Sequence, residues 1–124
     1  MIASRLRWLA PAASALLLAV AEQASLRKVP AYIVGGFVRD LLLKRPSQDF
    51  DIVLEGDAIE FADHLVQTFG GRAVVHRRFG TAKWILSENR EQILSALKIE
   101  NVGEWALPEH LDLISARTEF YDHP

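Results

Sequence analysis

The sequence predicts an α/β domain, because short apolar segments typical of β-strands alternate with longer segments of helical period. Strands are predicted over residues 31–34, 49–54, 72–76, 81–86 and 111–116, which makes about five. Helices are predicted over about 12–28, 37–43, 58–69 and 89–98. A chain of 124 residues, half of them hydrophobic, is large enough to form one such domain around a real core.

The first 30 residues fit two interpretations. Two arginines precede an apolar run from Trp8 to Val20 and a small-residue segment, as in a secretory signal peptide with its cleavage site. The run is interrupted by Pro11 and is too short for a membrane span. The alternative is a lead-in helix over 1–30 that places Leu16, Leu17 and Val20 on a core face.

The helix after Gly56 has the clearest signals in the chain. Asp57 is a suitable N-cap and Glu60 follows three residues later, as in a capping box. Apolar residues then recur with helical period up to Phe69, and the glycines at 70–71 predict its end. The two strands that follow form a predicted hairpin with its turn at residues 76–80. Residues 87–110 are predicted to be a surface insert that contains one helix.

The residues that indicate chemistry lie between Tyr32 and Leu54. The first strand ends at Gly35-Gly36, where a helix begins, so bare backbone N–H groups and the helix dipole can approach a phosphate. Arg39, in the first turns of that helix, can add a fork of donors to the same phosphate. In the next strand, alternation places Asp49 and Asp51 on one face, where a divalent cation would offset their repulsion.

Each half of this pattern also has a structural explanation. Paired glycines are common in turns, and the two aspartates could be solvated acids on a surface strand edge. Asp112 is a lone acid in the last apolar strand, and a buried acid needs a partner. That partner could be the metal held by Asp49 and Asp51; alternatively, Asp112 is a strand-edge acid in water or paired with Arg117.

The segment G-G-F-V-R-D-L-L-L-K-R-P-S-Q-D-F-D closely resembles the signature of the tRNA nucleotidyltransferase (CCA-adding enzyme) and bacterial poly(A) polymerase family. This family belongs to the polymerase-β-like nucleotidyltransferases. The match is dense over residues 34–53. The resemblance implies a small, mixed, twisted sheet with helices mainly on one face, and makes 31–124 the nucleotidyltransferase head domain. It also implies a cytoplasmic enzyme without a membrane anchor, which favours the lead-in helix over the signal peptide.

The resemblance further implies template-independent nucleotide addition to RNA 3′ ends, above all CCA addition to tRNA, or partial C- or A-addition, from CTP and ATP. The family uses two Mg²⁺ ions, so Asp49, Asp51 and Asp112 are expected to be the catalytic metal ligands. Asp112 matches the family's third acidic position. Gly35, Gly36 and Arg39 are expected to bind the nucleotide phosphates.

Composition limits the remaining possibilities. No cysteine is present, so disulfides and thiolate zinc sites are excluded. A net charge of −2 argues against a nucleic-acid-binding surface spread over the whole domain. The basic pairs Lys44-Arg45 and Arg77-Arg78 are either solvated surface pairs or local contacts to nucleotide or RNA phosphates.

The family's base-reading motifs, which follow the head, have no counterpart here, so a chain truncated at its C-terminus is expected. RNA would then be bound by the full-length protein. The alternatives to CCA addition are poly(A) synthesis, a non-catalytic nucleotide-binding module, and an exported small domain.

Overall fold

The computed structural model describes residues 11–34, 50–98 and 107–116, with side chains from residue 14 onward. The described elements follow one another as α1 (Pro11–Leu26), β1 (Ala31–Val34), β2 (Asp51–Leu54), α2 (Ala58–Phe69), β3 (Arg72–His76), β4 (Thr81–Ile85), α3 (Arg90–Ala96) and β5 (His110–Ser115). A 3₁₀ turn, Arg77–Phe79, joins β3 to β4. The alternation of strands and helices confirms the predicted α/β class.

The five strands form one mixed sheet in the order β1-β2-β5-β4-β3. β5 is parallel to β2 and antiparallel to β4, and the two outer pairs, β1-β2 and β3-β4, are antiparallel. The last described strand in the chain therefore lies at the centre of the sheet. The predicted hairpin is confirmed: β3 pairs with β4 in a register that runs from Arg72 opposite Ile85 to His76 opposite Thr81.

One face of the sheet carries the core, because the apolar residues of the strands recur at every second position. We call this the helix face, since it forms one buried cluster with apolar residues of all three helices. The residues of this cluster that lie in the strands or directly beside them are Phe50, Ile52, Leu54, Ala82, Trp84, Leu86, Leu111 and Leu113. From α1 the cluster takes Leu16, Leu17 and Val20, as the helix interpretation of the first segment predicts, and also Ala24.

The ends of α2 are fixed by side chains and backbone that the sequence partly predicts. Asp57 is the N-cap and its side chain accepts hydrogen bonds from the N–H groups of Ile59 and Glu60. The predicted partner in the capping box behaves differently: Glu60 Oε1 pairs with the Arg27 guanidinium at 2.9 Å. At the other end, Gly71 adopts φ +83°, a backbone conformation that favours glycine.

The described part of the chain contains no helix that is both long enough and apolar enough to span a bilayer. The predicted helix over 37–43 and residues 99–106 of the predicted insert over 87–110 lie outside the described residues. The helix predicted over 89–98 is confirmed as the shorter α3.

Candidate active site

Asp51 and Asp112 lie side by side on neighbouring strands. β2 and β5 are parallel and pair in the register that sets Asp51 opposite Asp112. The Asp112 N–H donates to the carbonyl of Phe50 at 3.1 Å, which fixes this register next to the two acids. Neighbouring strands are about 4.8 Å apart, so the two carboxylates start from backbones separated by one strand spacing.

The apolar residues on either side of each acid determine which face it occupies. Phe50 and Ile52 flank Asp51, and Leu111 and Leu113 flank Asp112; all four are at most 2% exposed on the helix face. Alternation then places both aspartates on the opposite face, which we call the carboxylate face. Both are half-buried there. Asp51 and Asp112 are thus each on the opposite face from their apolar neighbours, as alternation predicts, whereas the shared face predicted for Asp49 and Asp51 stays a prediction because Asp49 lies outside the described residues.

Two cationic or potentially cationic side chains contact Asp112 loosely. Lys83, opposite Asp112 in the β4-β5 register, places Nζ 3.9 Å from Oδ1. His110, two residues earlier in β5, places Nε2 3.5 Å from Oδ2. Both separations exceed the 2.7–3.2 Å usual for an N–H···O hydrogen bond. The Asp112 side chain is 37% exposed, so these partners hold it without closing it to a further ligand.

The position of these strands excludes one structural explanation of the acids. β2 lies between β1 and β5, and β5 lies between β2 and β4. Neither Asp51 nor Asp112 is therefore on a sheet edge. The alternative that Asp112 is a strand-edge acid is wrong, and so is the edge explanation for Asp51. Arg117, the other alternative partner of Asp112, lies outside the described residues.

Several predicted site residues are not described by the structure. Asp49, Gly35, Gly36 and Arg39 all fall within residues 35–49. The described residue that precedes this segment is Val34, the last residue of β1, and it lies opposite Asp51. The segment expected to bind phosphate thus follows directly in sequence on a residue paired with Asp51.

The donor chemistry at this position fits a hard divalent cation. Two carboxylates in register on internal strands offer oxygen ligands, which Mg²⁺ prefers over softer donors. Within residues 11–34, 50–98 and 107–116, no three His, Cys, Asp or Glu side chains are grouped to hold an ion. The described part of the chain therefore supplies two of the three predicted ligands.

Sequence reasoning missed Lys83 and His110. The alternation of β4 placed Lys83 on one face with Thr81 and Ile85, but it could not place that face beside Asp112. That contact follows from the pairing of β4 with β5, which are adjacent in space although Ile85 and His110 are 25 positions apart in sequence. The signal available in the sequence was a lysine within a predicted strand.

Comparison with known proteins assigns the chain to a family. A family profile described as the Poly A polymerase head domain matches residues 31–107, more than half of the chain. The chain belongs to this family. The resemblance inferred from the segment over residues 34–53 is confirmed. The matched region of this head domain contains β1 to α3 and ends just before β5.

Curated relatives and solved structures agree with the assignment. The A-adding tRNA nucleotidyltransferase of Halalkalibacterium halodurans is 34% identical over 109 residues, 88% of this chain and 21% of that protein. The protein of the same name from Geobacter sulfurreducens is 36% identical over 97 residues, 78% of this chain and 9% of its own length. This head domain thus spans about a fifth or less of each relative.

Among solved structures, the CCA-adding enzyme of Thermotoga maritima in complex with tRNA superimposes with a TM-score of 0.68 and 31% identity. The match covers 87% of this chain and 22% of that one. Two structures of a CCA-adding enzyme, one with ATP and one with CTP, each match with a TM-score of 0.62 and 31% identity. The predicted mixed sheet with helices on one face is confirmed as the nucleotidyltransferase fold.

Proposed function

We propose that this chain is the catalytic head of a template-independent nucleotidyltransferase that extends RNA 3′ ends, with tRNA as the substrate. The observation that carries the proposal is the register of Asp51 with Asp112 on two internal strands. Two half-buried acids in that position repel each other, and a cation shared between them would lower that cost. The family assignment and the tRNA-processing names of the relatives support the same reaction.

The roles of the residues follow from the sequence and from this register. Asp51 and Asp112 would hold Mg²⁺ together with Asp49, and Gly35, Gly36 and Arg39 would bind the nucleotide phosphates. A bound metal ion would supply activation of the attacking 3′ hydroxyl and charge neutralisation of the triphosphate. Lys83 Nζ and His110 Nε2 lie 3.9 and 3.5 Å from the Asp112 carboxylate, so a metal ion would compete with these two side chains for that ligand.

The nucleotide that is added separates the candidate activities. The curated relatives are named A-adding enzymes, whereas the superimposed structures are CCA-adding enzymes bound to ATP or CTP. Both names fit the proposed C- or A-addition. We place base choice in the part of the relatives beyond the length matched here, so the 124-residue chain alone should not add CCA accurately. Poly(A) synthesis is the rival activity of the same site, and A-addition to tRNA rather than to mixed RNA would exclude it.

A paramagnetic titration tests the site directly. Mn²⁺–ATP and Mn²⁺–CTP are added to the ¹⁵N-labelled chain, and broadening is mapped by residue. We expect broadening centred on Asp51 and Asp112, with similar responses to both nucleotides. Asp112→Asn should weaken the localised broadening strongly, because it removes one anionic ligand.

Asp63→Asn is the matched control. Asp63 is an exposed acid of α2 whose Oδ2 accepts a hydrogen bond from Gln67, so its replacement changes net charge by the same amount away from the carboxylate face. If Asp63→Asn weakens broadening as much as Asp112→Asn, or if wild-type broadening is not centred on the two acids, the proposed metal–nucleotide site is wrong. In that case a non-catalytic module is the better description of the domain.

A further inference from the structure

The β3-β4 hairpin has an excess of positive charge, whereas the chain as a whole does not. Residues 72–86 contain Arg72, Arg77, Arg78 and Lys83 and no acidic residue. The whole chain has 14 lysines and arginines against 16 acids, so this concentration is local. Arg72 is neutralised by Glu88, whose Oε2 lies 2.7 Å from its guanidinium. Arg77, Arg78 and Lys83 follow further along the same hairpin.

The tip of the hairpin exposes an aromatic ring, that of Phe79, next to positively charged arginine side chains. The 3₁₀ turn Arg77–Phe79 is exposed throughout, and Phe79 is 59% exposed, the second most exposed large hydrophobic side chain among the described residues. The Arg78 guanidinium lies 5.8 Å from the centre of the Phe79 ring. An exposed aromatic beside cations is how proteins bind single-stranded nucleic acid: bases stack on the ring and phosphates contact the cations.

The backbone holds this tip against the central strand. Gly80 has φ +65°, its N–H donates to the carbonyl of Arg77, and its own carbonyl accepts from the N–H of Ser115 at 2.9 Å. The turn is therefore anchored to β5, three residues from Asp112. A ligand on the tip would have a fixed position relative to the carboxylate face.

Lys83 connects the tip with the two acids. It lies two residues beyond Thr81 in β4, which is roughly 7 Å along the strand, and directly opposite Asp112. Its side chain is 40% exposed and its 3.9 Å contact with Asp112 is long, so the ammonium can turn to a phosphate. Val34, which precedes in sequence the segment proposed to bind the nucleotide, is opposite Asp51 on the other side of the acids.

We propose that Arg77, Arg78, Phe79 and Lys83 form the hairpin surface, which binds the phosphates and a base of the single-stranded RNA 3′ end and leads its terminal hydroxyl to Asp112. This inference rests on the proposed function. Charge complementarity favours RNA as the ligand. The hairpin contains basic and no acidic residues, so it attracts phosphates, whereas the acids lie on the neighbouring strands β2 and β5. The RNA and the nucleotide thus approach the acids from opposite sides.

The test measures RNA binding by the 124-residue chain with fluorescein-labelled single-stranded RNA that has a free 3′ hydroxyl, followed by anisotropy at several salt concentrations. Arg77→Gln/Arg78→Gln removes two phosphate contacts, so affinity should fall on the order of tenfold near 0.1 M salt, and the salt slope by about 1.4. Phe79→Ala should weaken binding by about tenfold with an unchanged slope, because stacking is not ionic.

The control variant is Arg27→Gln/Lys28→Asn. It removes the same two charges at the end of α1, and asparagine tolerates the positive φ of 58° at position 28. We expect it to bind RNA within about twofold of wild type, since it leaves every hairpin contact in place. The Mn²⁺–ATP titration is run on the same samples, and broadening at Asp51 and Asp112 should not change in any of these variants.

Three results would overturn the inference. They are wild-type affinity in Arg77→Gln/Arg78→Gln, an equal loss in the control, or no RNA binding by the wild-type chain. Failure of the proposed function is a separate result, since it would be seen as absent broadening at Asp51 and Asp112 whatever the hairpin variants do.

Discussion

The N-terminus of α2 depends on a side chain of the central strand β5, Ser115. Asp57 accepts hydrogen bonds from the N–H groups of Ile59 and Glu60 at 2.9 and 3.2 Å. The N–H of Ala58 donates instead to Ser115 Oγ, at 2.8 Å. Three N–H groups that cannot bond within the helix are thus satisfied by two side chains. Ser115→Ala removes one acceptor and leaves the others in place.

The expected loss follows from burial. Ala58 is fully buried, so its N–H cannot turn to water when the hydroxyl is removed. An unsatisfied buried donor costs about 1–3 kcal/mol. For a domain of this size that corresponds to a melting temperature lower by roughly 4–12 °C. Asp57→Ala, which removes two bonds at a more exposed position, should cost about 0.5–2 kcal/mol.

Urea unfolding followed by far-UV circular dichroism measures the difference. Ser87→Ala is the control, because Ser87 is an exposed serine in the segment between β4 and α3. The variants should share one m-value, which shows that the denatured state is unchanged. If Ser115→Ala unfolds within about 0.5 kcal/mol of wild type, as surface substitutions do, the hydroxyl does not hold the helix and the reasoning fails.

Two further changes test the sheet and its periphery. Gly71→Ala should destabilise by roughly 2–4 kcal/mol in urea unfolding, since its φ is +83° and the new Cβ would lie 2.6 Å from the carbonyl oxygen of Ile85. Gly56→Ala should lose far less stability, because its new Cβ would meet only side-chain atoms, the nearest at 3.1 Å. An equal loss of stability in both variants would contradict the explanation from backbone strain and close approach at Gly71. The hydrogen bond from Arg72 lowers the pKa of Glu88, so this pair stabilises the fold above the acid range and is lost as pH falls through that lowered pKa. Arg72→Gln should raise the Glu88 pKa toward 4.5 in a ¹³C-detected NMR titration, and an unchanged value would show that the pairing is not what lowers it.

The elements that the sequence predicted well are those whose signals are local. Asp57, the apolar period of α2 and the glycines after Phe69 define a helix within one short segment, and the structure confirms it from Ala58 to Phe69. Alternation within β2 and β5 likewise separated Asp51 and Asp112 from their apolar neighbours, which the structure places in the core. Such patterns depend on neighbours in sequence, so they can be read without knowing the fold.

The contacts that the sequence did not predict depend on which strands pair. Lys83 meets Asp112 because β4 and β5 are neighbours in one register, and alternation within β4 says nothing about that register. His64 of α2 is half-buried and its Nε2 lies 2.7 Å from Gln23 Oε1. That contact joins α2 to α1, which the period of either helix alone cannot reveal.

The central position of β5 has a consequence for how the domain is made. β1 and β2 can pair soon after synthesis, and so can β3 and β4, but the two halves share no strand until β5 is inserted between them. The ribosome delivers that strand last among those described here. A nascent chain therefore carries two separate ribbons with open edges, which are prone to pair wrongly, until its final described strand emerges. Because Asp112 is part of the strand that joins the two ribbons, Asp51 and Asp112 come together in the same step that completes this sheet.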